Sequence, residues 1–201
     1  MRTAVLLASA ALVSSACEQG LPEVTPELGE RVAQIAEPAS AELLRTLVGQ
    51  LTAALDEGGT SQAMELCSNE AIPLTRMVEA GLEGPLSLKR TSFRYRNPEN
   101  APDEADEAAL LHFERAIQDQ GQAPASYVQR VSTGELRYYR PLFVGEVCLG
   151  CHGDLDTIDP QVRRVLSERY PEDLATGYAA GAFRGLVRVS MPETLVEPGG
   201  A

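Results

Sequence analysis

Ser126–Gly153 reads "SYVQRVSTGELRYYRPLFVGEVCLGCHG", and its two halves make different demands on a fold. The runs "SYVQRV" and "LRYYRPLFV" are rich in β-branched and aromatic residues and are joined by "STGE", which predicts a β-hairpin. The second strand leads straight into Cys148-x-x-Cys151-His152. A dithiol with an adjacent imidazole is a redox pair, part of a metal site or a haem anchor. A thioredoxin-like pair opens a helix inside a βαβ unit, whereas here an antiparallel hairpin precedes it. A zinc site would need more ligands at a matching spacing, and a chain with four cysteines and two histidines has no second Cys-x-x-Cys or His pair. A structural disulfide between Cys148 and Cys151 leaves His152 unexplained. A haem c uses all three residues: the thiols form thioethers with the two vinyl groups and the imidazole binds the iron.

Upstream of the hairpin, Val32, Ile35, Ala36, Ala39, Leu43, Leu47, Leu51 and Leu55 recur at three- and four-residue steps, an amphipathic helix. It should bend or restart at Pro38 and stop at Gly58 and Gly59. A second helix is predicted from about Thr60, carrying Cys67, interrupted at Pro73 and ending at Gly81. Leu86–Tyr95 alternates like a strand. A helix capped by Asp103 and stopped by Gly121 follows. Downstream of the haem-like motif come a helix from about Pro160 to Tyr170, a glycine-rich loop and a last strand, "GLVRVSM". Helices first, then an antiparallel sheet with helices inserted, is an α+β order.

The 201 residues, 44% of them hydrophobic, suffice for one domain with its own core. "MRTAVLLASAALVSSAC" places Arg2 before an apolar run and then small residues, the layout of a secretory signal peptide, with Cys17 as a lipoprotein-type lipidation site. The expected division is 1–17 signal peptide, 18–30 tether, 31–192 one domain and 193–201 a disordered tail. Work outside the cytoplasm, on a lipid anchor, is the expectation. Cleavage after residue 17 removes only Arg2 among the charges, so the net charge of −12 becomes −13. Nothing resembles the basic stripe of a nucleic-acid binder.

An iron held by His152 has a second axial position. The candidates are Cys67, His112, Met64, Met77 and Met191. Cys67 is a lone thiol once Cys148 and Cys151 hold haem, although such a cysteine also serves as a small core hydrophobe. His112 lies on the flank of its helix. Met64 lies one helical turn before Cys67.

The segments "AMELCSNEAIPL", "LKRTSFRYRNPENAPDEAD", "YYRPLFVGEVCLGCHG" and "YPEDLATGYAAGAFRGLVRVSM", over about residues 60–191, resemble a family of single-haem c-type domains of unknown function. That family has a PAS-like fold and is typified by a cyanobacterial haem protein found with photosystem II. The resemblance implies an antiparallel sheet with N-terminal helices around one covalent haem c, His152 as proximal ligand and Cys67 as distal ligand. Arg90, Arg96 and Arg184 fall in the matched segments and suit the haem propionates, since guanidinium forks pair with carboxylates. Two departures stand out: Ala105 and Asp106 lie where relatives have Trp, and Gly181-Ala182-Phe183-Arg184-Gly185 lacks an acidic residue usual in relatives.

A thiolate stabilises ferric iron, so Cys67 ligation implies a low potential. A thiolate that takes up a proton on reduction would release its position to NO or CO. Three classes follow: a redox or gas sensor signalling through a separate partner protein, a one-electron carrier, and a peroxidase-type enzyme. The last would need distal acid/base groups, for which only His112 offers itself, so no enzymatic activity is expected.

Overall fold

The computed structural model describes residues 21–132 and 134–197. The expected signal peptide over residues 1–17, with Cys17, lies outside them. Four antiparallel strands, β1 (Ser87–Thr91), β2 (Tyr127–Ser132), β3 (Glu135–Phe143) and β4 (Phe183–Pro192), form one sheet in the order β1-β4-β3-β2. The predicted hairpin is β2 and β3, with Tyr127 opposite Tyr139. The class is α+β, as expected.

Side-chain alternation assigns each face of the sheet to a different helix. Leu88, Leu136, Tyr138, Val187, Val189 and Met191 point to one face. There they meet Val32, Ala36, Ala39 and Leu43 of α1 (Pro26–Asn69) in the main core. Tyr139 and Leu186 point the other way and meet Ala109, Leu110 and Phe113 of α3 (Glu104–Gln120). Burying each such aliphatic or aromatic side chain is worth about 1.5–3 kcal/mol.

The helix boundaries follow local chemistry. Thr25 caps α1 by accepting from the Leu28 backbone N–H, with Pro26 at the first helical position, so the tether expected over 18–30 gives way to helix earlier. The helix runs through Pro38 instead of restarting there. Pro38 and Gln34, whose carbonyl loses its partner, both face solvent, where water can satisfy that oxygen. The expected stop does occur: Gly58 and Gly59 are non-helical, Gly59 at φ +66 and ψ −156, a conformation open only to glycine. α1 is therefore two arms joined at a glycine break, the second carrying Met64 and Cys67. The expected interruption at Pro73 occurs at Glu70, three residues before it: α1 ends at Asn69, whose carbonyl the Pro73 nitrogen cannot serve, and Pro73 takes the third position of α2 (Ala71–Ala80), where an amide hydrogen would lack an intrahelical partner. At the other end the expected tail begins too early: Glu193–Leu195 form a 3₁₀ turn, Val196 is buried, and its carbonyl accepts from Arg31 Nε at 3.0 Å.

Asp106, noted above as a departure from the family pattern, ties α3 to the sheet. Its fully buried carboxylate accepts from Lys89 of β1 at 3.3 Å, Arg137 of β3 at 3.3 Å, Arg188 of β4 at 3.2 Å and the Tyr139 hydroxyl at 3.1 Å. Removing one partner of a buried ionic group strands the others. Asp106→Ala is expected to cost about 3–5 kcal/mol, read as a lower urea midpoint with an unchanged m-value; a loss below roughly 1 kcal/mol would show that α3 is held by its apolar face alone.

Candidate functional site

Beyond the apolar stripe, the α1 face of the sheet turns cationic. Arg90 follows Leu88 by two residues and Arg140 follows Tyr138 by two, so both share that face, and both pair in register with Val187 on the strand between them. Gly185 comes next on β4. A Cβ there would stand 2.3 Å from the Thr91 carbonyl oxygen, and its φ is +145, so only glycine lets β4 close on the end of β1. Over this end of the sheet lies a cavity of about 430 Å³, within the range of about 300–1,000 Å³ usual for cofactor sites.

The motif reaches the cavity through a short turn. After β3, Glu146–Cys148 form a 3₁₀ turn and Leu149–His152 form α4, so Cys148 and Cys151 lie one turn apart. Both cysteines and His152 line the cavity, and Cys67 and Met64 line it from the second arm of α1. Cys148, Cys151 and Cys67 stand as free thiols. Cys67 is exposed by surface area, but that surface is the cavity wall. Burial pushes its pKa up, against the opposing pull of Arg90 and Arg96.

His152 is fixed from behind. Its Nδ1 donates to the Ala175 carbonyl at 2.6 Å, which defines the tautomer and leaves Nε2 as the nitrogen with a free lone pair. Burial, with help from Arg96 and Arg184, lowers its pKa to about 3 despite the Ala175 bond, so the ring is neutral and able to ligate. The loop that carries Ala175 is strapped to the motif, Tyr178 N–H donating to the His152 carbonyl at 2.9 Å and Gly177 N–H to that of Gly153 at 2.6 Å.

Electrostatically the cavity inverts the rest of the protein. A chain of net charge −12 lines it with Arg90, Arg96, Arg140 and Arg184 and, among the described residues, with no carboxylate. Arg96 and Arg184 also have protein partners: Arg96 reaches Asp173 and the Cys151 carbonyl, and Arg184 reaches the Ser92 hydroxyl and the Arg94 carbonyl. Among the described residues Arg90 Nε is buried with no hydrogen-bond partner, and a buried unpaired N–H calls for an acceptor. The first arm of α1 supplies an apolar wall through Leu47, Val48, Leu51 and Leu55. This arrangement suits an apolar cofactor bearing acidic groups.

Three sequence candidates fall elsewhere. His112, on α3, stacks on Tyr127 at 4.2 Å between centroids, on the opposite face of the sheet. Met191 is buried in the main core, and Met77 is exposed on α2. Sequence reading missed Arg140, although its two-residue offset from Tyr138 was a usable signal.

The Tll0287-like family model matches residues 25–192. The chain belongs to this family. Among solved structures it is similar to "Crystal structure of the cyanobacterial heme-protein Tll0287", at 24% identity and a TM-score of 0.56, over 84% of this chain and 96% of that one. At that identity the likeness speaks to the fold. None of the curated proteins compared matches the Tll0287-like chain.

Proposed function

We propose that the protein is a monohaem c-type cytochrome that senses redox state or a diatomic gas such as NO or CO. Cys148 and Cys151 hold the haem as thioethers, His152 Nε2 is the proximal ligand and Cys67 the distal one. The observation that carries this reading is the meeting of motif and Cys67 in one cavity, with the His152 ring already oriented by Ala175. The donor set fits a haem better than a bare ion: among the described residues no three His, Cys, Asp or Glu side chains converge as a metal site, and ligands on opposite sides of a ring need not converge. The cationic wall fits too, with Arg90 first and Arg140, Arg96 and Arg184 around it to receive two propionates. The related solved protein is a haem protein by its own title.

Haem supplies a one-electron couple and an exchangeable axial position. The chain's residues set the bias: His152 is held rigidly by the strapped loop, whereas Cys67 sits on an arm bounded by a glycine break. A distal ligand on a separately hinged arm favours sensing, where ligand loss displaces the arm and biases one conformation over another. A signal would pass to a separate protein partner. The signal-peptide reading of residues 1–17 supports export, with lipid on Cys17 as tether; among the described residues no helix is long and apolar enough to cross a membrane. The peroxidase alternative loses its one candidate acid/base group, since His112 lies across the sheet.

A spectroelectrochemical titration of the holoprotein, with and without CO, tests the reading. The sensor is expected to lose its thiolate spectrum and bind CO on reduction. A reversible haem that stays six-coordinate and inert to CO in both states would make it an electron carrier instead. Absence of a Soret band would overturn both.

A further inference from the structure

The Arg96–Asp173 pair stands behind the proximal ligand. Both side chains are about nine-tenths buried, at 9% and 10% exposure, with Arg96 Nε donating to Asp173 Oδ2 at 3.0 Å. Asp173 Oδ1 accepts from the Ala175 backbone N–H at 2.8 Å. Arg96 Nη2 donates to the Cys151 carbonyl at 2.7 Å and reaches the Ala175 carbonyl at 3.4 Å. The Ala175 carbonyl therefore serves two donors, Arg96 Nη2 and His152 Nδ1.

We infer that the Arg96–Asp173 pair is a positioning and tuning device for the His152 imidazole, acting through the shared Ala175 carbonyl. A carbonyl accepting strongly from Nδ1–H pushes electron density towards Nε2 and makes the imidazole a stronger donor. A cation on the same oxygen withdraws that density. Asp173 offsets the cation and, by holding the Ala175 amide, keeps the carbonyl aimed at the ring. The sign of each substitution follows. Asp173→Asn keeps a side-chain acceptor for the Ala175 amide but leaves the Arg96 charge unbalanced, so His152 donates less and ferrous iron gains. Arg96→Gln removes the withdrawing cation, so His152 donates more and ferric iron gains. Arg96→Lys keeps the charge and should stay closer to wild type than Arg96→Gln.

This inference rests on the haem reading. The experiment is a redox titration of the holoproteins, together with the iron–histidine stretch of the reduced state by resonance Raman. Asp173→Asn is expected to shift the ferrous/ferric ratio at fixed potential about three- to tenfold towards ferrous, tenfold being about 59 mV for one electron. Arg96→Gln should shift it the other way, with Arg96→Lys between Arg96→Gln and wild type, and the stretch should fall in Asp173→Asn and rise in Arg96→Gln. A merely structural role would move both variants in one direction or leave the stretch unchanged, and either result overturns the inference. A wild-type protein without a Soret band overturns the haem reading and this inference with it. A normal band with unmoved potentials overturns this inference alone.

Discussion

Replacing Cys67 by alanine is expected to change the ferric absorption spectrum more than any other single distal substitution and to raise the midpoint potential by about 0.1–0.3 V, inside the span of about 0.8 V that axial ligands command. A thiolate adds a full negative charge to the iron, so its loss removes the main bias towards the oxidised form. The surroundings reinforce the effect. Arg90 would lose the negative charge that most favours its own buried guanidinium, in a wall with no carboxylate among the described residues to replace it. Met64 lies one turn away on the same arm and lines the same cavity, so the double substitution with Met64→Ala separates a thioether-bound spectrum from an open position. An unchanged ferric spectrum in Cys67→Ala would remove Cys67 from the ligand set and leave Met64 as the distal candidate among the described residues.

The second large effect is on attachment. With Cys148 and Cys151 both changed to serine, the denatured chain is expected to run at its bare polypeptide mass, whereas the unaltered chain should keep the mass of one haem. The difference is all-or-none because a thioether survives unfolding and a coordinate bond does not. Folding should be largely preserved, since both cysteines are only partly buried and lie at the edges of their apolar clusters, Cys151 against Met64, Ile158, Val162 and Leu166, and Cys148 against Val144, Ala175 and Tyr178. A haem that dissociates from the unaltered chain on denaturation would make the motif a non-covalent site.

Features encoded within a few residues were legible in the sequence. The cap at Asp103 and the stop at Gly121 bound α3 as read, because capping boxes and left-handed glycines act locally. The hairpin and the Gly58–Gly59 break were legible for the same reason. Pro38 misled because its cost depends on whether the freed carbonyl faces water, a tertiary property. The site divided along the same line. The Cys-x-x-Cys-His cluster is contiguous and could be found, whereas the strap grips the motif through the backbone groups of Ala175, Gly177 and Tyr178, which carry no residue signature. His112 was considered because histidine can ligate iron; only the parity of the sheet showed that its helix covers the other face.

The strand order has a consequence in time. β4, the last strand of the chain, lies between β1 and β3, so the sheet cannot close until residue 192 exists. The motif is complete at His152, forty residues earlier (192 − 152), so on a chain exported N-terminus first, as the signal-peptide reading has it, the motif emerges before β4 does. In the interval β3 has an unpaired edge, the strap from Asp173 to Tyr178 is unmade for part of it, and the two thiols stand on an open turn. The topology thus provides a window in which Cys148 and Cys151 are accessible to chemistry that the finished fold would hinder, and it ends when β4 inserts.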